Sequence, residues 1–165
     1  MPTITDVAKR AGVSTYTDSS VLNRSARVSP ELTKRVLMAV EELDYTINSV
    51  ARSLQTRRTN TFGMLIPDIS NPFYSLVVSG AEDVCRHKGY ALLLGTTKES
   101  REEQTHSLSM LRSKQVDGLL VFMAAQSEDT LRPLIEKKIP VVFLGRQPIE
   151  LQGDCVKVDN FAGIR

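Results

Sequence analysis

The sequence predicts a chain of two parts: a small all-α helix-turn-helix headpiece, and after it an α/β domain on a parallel sheet. Three observations predict this. Ile4, Val7, Ala8 and Ala11 recur at i, i+3, i+4, i+7, which puts apolar groups on one face of a short helix with Lys9 and Arg10 on the other. Gly12, Val13 and Ser14 then supply a residue tolerant of left-handed backbone, an apolar plug and a capping hydroxyl, so a second helix is expected from about Thr15 to Leu22. From Thr61 onward, short apolar runs alternate with helical stretches, the order of strand and crossover helix that builds a parallel sheet.

Two short helices joined by a Gly-containing turn form the motif whose second helix lies in the DNA major groove, its N-terminal residues against base edges. Those residues here are Thr15, Tyr16, Thr17 and Ser20. An ordinary helical hairpin would show the same spacing. After Asn23, the loop RSARVSPE carries Arg24 and Arg27, and Ser29-Pro30-Glu31 reads as an N-cap, a residue preset for the first helical position and a favoured early carboxylate. Leu32, Val36, Ala39, Val40 and Leu43 form the apolar stripe of the third helix, enough to close a three-helix core. On the inner face of the second helix, beside Val21 and Leu22, falls Asp18. An unpaired carboxylate there costs roughly several kcal/mol, or its pKa rises, unless the helix shifts or the side chain reaches water at the edge.

Asn48 to Thr56, NSVARSLQT, has a capping Asn and carries Val50, Ala51 and Leu54 on one face, but is too short to be a stable helix alone. It reads equally as a plain linker. Beyond it, FGMLIP, YALLLG, DGLLVF and PVVFLG are continuous apolar runs, as expected of strands buried on both faces. Helices are expected at roughly Pro72 to Lys88, Arg101 to Lys114 and Ser127 to Lys138, and a fifth strand at about Cys155 to Val158. Ligands of such sheets bind outside the carboxyl ends of the strands, here Asp68 to Phe73, Thr96 to Lys98, Phe122 to Ala125, Arg146 and Asp159 to Asn160.

Composition is that of a globular protein, 41% hydrophobic and 24% charged. The net charge of +2 is unevenly spread: residues 1–60 hold nine Lys or Arg against six Asp or Glu, and the remainder twelve against thirteen. The basic excess lies with the end that would meet phosphates. Cys85 and Cys155 have no CxxC spacing and make no metal set with His87 and His106, so neither metal nor other cofactor is expected. An enzyme is not expected, since there is no G-x-S-x-G, no phosphate-cradling Gly loop and no recognisable acid and base pair. No eighteen-residue apolar run or signal core is present, which predicts a cytoplasmic protein without membrane contact.

The run DVAKRAGVS, followed in order by VLN, VSPE, VARSL and FGMLIPDISNPFY, resembles the lactose-repressor (LacI/GalR) family of bacterial transcription regulators. The resemblance implies a DNA-binding headpiece over residues 1–47, a hinge helix and linker over 48–60, and over 61–165 part of an effector-binding and dimerisation domain. That part would be the N-subdomain of a periplasmic-binding-protein-like fold. It implies a repressor, dimeric as a homodimer or with a full-length relative, on a two-fold double-stranded operator, controlled by a small effector of sugar or nucleoside class. Thr15, Tyr16, Thr17, Ser20 and Leu54 would meet bases, Leu54 as a minor-groove wedge from a hinge that turns helical on DNA. Asn23 and Ala51 join that surface, while Arg24, Arg27, Arg52, Arg57 and Arg58 would contact phosphates. Phe73, Tyr74, Arg146 and Asp159 would face the effector, though for each of these core packing or solvent exposure is the competing reading.

Three departures are expected to matter. Asp18 stands where the family usually has an apolar residue, Ser20 where it has Arg, His or Tyr, and Ile47 where Pro is common. Losing a bidentate reader at position 20 removes about 1–3 kcal/mol of base discrimination, so weak or altered operator recognition is expected. The chain stops at Arg165, inside what the pattern reads as a helix, so an incomplete α/β domain and half an effector cleft are expected. A truncated interaction or dominant-negative fragment with impaired DNA binding is the alternative function.

Overall fold

In the computed structural model, residues 2–23, 26–46, 53, 56, 58–125 and 127–158 are described. The chain divides into two compact units, Met1–Ala51 and Arg52–Arg165.

The first unit is three helices, α1 (Ile4–Ala11), α2 (Thr15–Asn23) and α3 (Pro30–Glu42). Thr3 and Asp6 open α1 as a reciprocal capping box: Asp6 N–H donates to Thr3 Oγ1 at 3.3 Å, and Thr3 N–H donates to Asp6 Oδ2 at 2.8 Å. Gly12 ends it in left-handed backbone (φ 64°), which lets Val13 N–H reach back to Ala8 C=O at 3.0 Å. Ser14 then accepts Thr17 N–H at 3.1 Å and starts α2. Ser29 caps α3 by accepting Leu32 N–H, and Pro30 occupies its first turn. Val7, Ala11, Val36 and Ala39 are the buried centre, flanked by half-buried Val13, Val21, Leu22, Val40, Leu43 and Tyr45.

The second unit is a five-stranded, wholly parallel sheet in the order β2-β1-β3-β4-β5. Its strands are β1 (Thr61–Ile66), β2 (Ala91–Thr96), β3 (Gly118–Val121), β4 (Val141–Leu144) and β5 (Asp154–Val156). Phe62 lies opposite Leu92 on one side and Gly118 on the other, and Leu120 lies opposite Val142. Crossovers run through α4 (Pro72–His87), α5 (Arg101–Ser113) and α6 (Arg132–Glu136). The continuous apolar runs have a direct cause: Met64 and Ile66 pack under α4 with Val77, Val78 and Ala81, while Leu65 packs with Leu108 and Leu111 of α5 and Leu134 of α6. At Gly63 a Cβ would lie 2.6 Å from Leu119 Cδ2 and 2.9 Å from Leu111 Cδ1, so the absence of a side chain there lets these leucines of β3 and α5 pack close to the strand.

Two expectations need correction. The helix expected over Ser127 to Lys138 is a 3₁₀ turn (Glu128–Thr130) followed by the one-turn α6. Pro133 is the reason: lacking an N–H, it fits only the first turn of a helix, so α6 begins at Arg132. The fifth strand is also shorter and earlier than expected, Asp154–Val156. The hinge expectation falls largely outside the described residues; there, Ser53 and Thr56 both have helical backbone.

Candidate functional site

In the first unit, the start of α2 presents the exposed surface. Thr15 is exposed, Tyr16 is 75% exposed, and Thr17 is half-buried with its hydroxyl 2.9 Å from Ser14 Oγ. These side chains stand beside the orphan N–H groups of the helix start, a place favourable to a phosphate oxygen. Arg27, in the loop before α3, is exposed, as is Arg58 in the second unit.

Ser20 is corrected. It is only 3% exposed, which places it on the packed side of α2 rather than among the exposed side chains at the helix start. Asn23 is half-buried, its amide donating to Ser19 Oγ at 3.1 Å, with Oδ1 buried and unpartnered among the described residues. Arg24, Ala51, Arg52, Leu54 and Arg57 lie outside the described residues.

Asp18 is wholly buried (0% exposed), and among the described residues neither carboxylate oxygen has a hydrogen-bond partner. Of the two arrangements open in the sequence, inward burial is the one found. Burial pushes its carboxyl above the usual carboxylate range, because the charged form loses its water and gains nothing in return.

In the second unit, a cavity of about 340 Å³ opens at the carboxyl ends of the strands, lined by Pro67, Phe73, Tyr74, Glu99, Phe122 and Arg146 among others. Asp68 shapes the approach: its oxygens accept the N–H and hydroxyl of Ser70 at 2.9 and 2.7 Å, which holds the carboxyl below its ordinary range. Asn71 caps α4 through Phe73 N–H at 3.0 Å, so Phe73 and Tyr74 fall in the first turn at the cavity mouth. Their rings meet Phe122 edge-to-face at centroid distances of 6.0 and 5.0 Å. Desolvation, then the charge of Glu99, raises the Tyr74 hydroxyl above the ordinary phenol range.

Arg146 follows β4 and donates to Met123 C=O at 2.8 Å. The carboxylate of Glu128 holds the same loop by accepting Ile149 N–H and Glu150 N–H at 3.0 and 2.9 Å, which lowers its pKa. Three of the four residues expected at this site, Phe73, Tyr74 and Arg146, thus line one cavity; Asp159 lies outside the described residues. Glu99 was missed. It sits in left-handed backbone (φ 55°) after Lys98 (φ 48°), and nothing in the local residue pattern announces two such residues in a row.

Among the described residues no group of three or more His, Cys, Asp or Glu could hold a metal ion. No helix among them is long and apolar enough to cross a membrane.

A helix-turn-helix unit and a parallel-sheet unit with a cavity at its strand ends, carried on one chain, define a class: the bacterial regulators that join a DNA-binding head to a sugar-binding-protein-like domain. Residues 3–48 match the family described as "Bacterial regulatory proteins, lacI family" and residues 59–162 that described as "Periplasmic binding proteins and sugar binding domain of LacI family". The chain belongs to the LacI family.

Among curated relatives, it is 43% identical over 162 residues to the HTH-type transcriptional repressor PurR of Aliivibrio fischeri, and 36% identical over 164 residues to that of Histophilus somni. These alignments take in 97% and 99% of this chain but 48% and 49% of the relatives, so the chain spans about half their length. A solved LacI-family transcriptional regulator from Silicibacter pomeroyi superposes with a TM-score of 0.76 at 27% identity, over 96% of this chain and 47% of that one. The Lac repressor dimer bound to operator shares the fold, with a TM-score of 0.73 at 24% identity over 87% of this chain and 44% of its own.

Proposed function

We propose that this chain carries the operator-reading headpiece and part of the effector domain of a LacI-type transcriptional repressor that acts in the cytoplasm. The observation that carries the reading is the start of α2: a Ser14-capped helix N-terminus with Thr15 and Tyr16 exposed, within a stretch, residues 1–60, that holds nine Lys or Arg against six Asp or Glu. Tyr16 and Thr15 meet base edges, and Arg27 and Arg58 meet phosphates. Residues 48–60, with Ala51, Arg52, Leu54 and Arg57, act as the hinge and linker. Two chains on a two-fold operator follow from the two half-sites that such headpieces read. Relatives named transcriptional repressors support the sign of regulation.

The aromatic-lined cavity with Glu99 and Arg146 suits a small effector with a flat, hydrogen-bonding face, of nucleoside or sugar class. No catalytic step is proposed there.

Fluorescence anisotropy against a two-fold operator with a central CG step, at several salt concentrations, tests the DNA reading. Arg27→Ala should weaken binding to all duplexes and reduce the salt slope by about 1, and Tyr16→Ala should change the ranking among duplexes. Binding that ignores sequence, with a ranking unmoved by Tyr16→Ala, would overturn the assignment. Buried Asp18 favours a second reading, a fragment that pairs with an intact relative and binds DNA poorly by itself. Co-purification with a full-length relative, without operator binding of its own, separates the two.

A further inference from the structure

We propose that the headpiece is a proton-coupled fold: its folding takes up one proton at Asp18, so falling pH favours the folded headpiece over the unfolded one. The carboxylate is wholly enclosed and both its oxygens lack partners among the described residues, so folding strips its water and no hydrogen bond from those residues replaces it. The unfolded chain returns that water.

The groups around Asp18 do not relieve it. α2 packs on α1 and α3. Asp6, Lys9 and Arg10 on α1 and Glu31, Lys34, Arg35, Glu41 and Glu42 on α3 are all exposed. Arg10 is paired with Glu42, and Arg35 donates to Ala11 C=O and Gly12 C=O. Tyr16, Arg27 and Asp44 are exposed and Tyr45 is half-buried. Burial is the cause of the upward shift at Asp18, and among the described residues no neighbouring charge contributes to it. Residues 1–51 contain no His and no Cys, so between pH 5 and 8 no ordinary side-chain titration of this unit competes with the effect.

The sign follows from the proton count. A carboxyl raised in the folded state binds more protons folded than unfolded, so the fold is favoured at low pH. Its advantage is lost as pH rises from the ordinary carboxylate range to the folded-state value, tenfold in the folding equilibrium for each pH unit, and the profile is flat above. The folding linkage stands on the headpiece alone; its consequence, tighter DNA binding at lower pH, rests on the proposed DNA reading.

Hydrogen exchange by mass spectrometry on the full chain tests it, read in peptides from residues 4–42 with peptides from residues 61–96 as internal reference, from the ordinary carboxylate range at about pH 4 up to about pH 8 and corrected for intrinsic exchange. The wild-type opening equilibrium of the headpiece should rise with pH by up to tenfold per unit. Asp18→Leu should be flat and better protected at pH 8, and Asp18→Asn, which removes the charge at equal size, should be flat too. A flat wild-type profile, or one whose slope survives in Asp18→Leu, overturns the proposal. Operator affinity of the same proteins at fixed salt is the second readout. Absence of DNA binding at every pH counts against the DNA reading alone, since the exchange profile is obtained without DNA.

Discussion

At Gly12, backbone and side chain constrain one atom position. The residue has φ 64°, which an L side chain adopts at a cost, and a Cβ there would lie 2.5 Å from Nη2 of Arg35. That guanidinium is held in place because it donates to the carbonyls of Ala11 and Gly12, two of the acceptors the end of α1 leaves open. Gly12→Ala should therefore destabilise the headpiece by about 1–2 kcal/mol from the backbone, plus a clash. Arg35→Ala should cost about 1 kcal/mol through the lost hydrogen bonds. Because the second change removes the atom the first collides with, the double variant should lose less than the sum of the two. Urea titrations followed by NMR of headpiece amides give all three values, and strict additivity would show that the clash is not what makes Ala costly here. Ser20 marks the limit of reading such positions from sequence. Its place among the base readers came from its position on α2, whereas the packing of the three helices leaves it only 3% exposed.

Elements show the same division between what is legible and what is not. α1, α3 and the first four strands were readable because each is set by a local pattern: a capping residue, a period of 3.6, or an apolar run covered by helices on both faces. The segment after β3 was not, because its shape is set by a distant side chain. Gln104 of α5, wholly buried, accepts Ala124 N–H at 2.8 Å and donates to Ser127 C=O and Thr130 Oγ1 at 3.1 and 2.7 Å. One amide thus fixes the loop that runs from β3 into the 3₁₀ turn, and a buried Gln in an amphipathic helix gives no sign of that in sequence. Gln104→Met keeps the volume but leaves Ala124 N–H buried without its acceptor, which should cost the α/β unit about 1–3 kcal/mol. It should also loosen the cavity, since Phe122 and Met123 begin this loop and Met123 C=O holds Arg146. A drop in the urea midpoint of the second unit without change in the first checks the energetic part; an unchanged midpoint would mean the loop finds its own partners.

On the scale of the whole chain, the two units carry pKa shifts of opposite consequence. Among the described residues of the α/β unit the shifted carboxyls are Asp68, held by Ser70, Glu128, held by two backbone N–H groups, and Asp129, held by Arg101, all lowered. Groups lowered in the fold contribute stability that is fully present above the unfolded carboxylate range of about 4 and lost as pH falls through their folded values. The headpiece has one group of this kind, Asp6, held by Thr3, and one of the opposite kind, Asp18. Above about pH 4 Asp6 contributes in full and does not vary, so Asp18 alone sets the slope. Lowering pH from 8 towards about 4 should therefore raise the thermal midpoint of the headpiece while these carboxyls leave that of the α/β unit unchanged. Below about pH 4 the lowered carboxyls are protonated and the α/β midpoint should fall. Calorimetry of the full chain across this range, with Asp18→Leu to identify the headpiece transition, is the check. Two transitions that shift together would show that the units unfold as one, and a headpiece midpoint that falls towards pH 5 would show that the Asp18 carboxylate finds a cationic partner in solution.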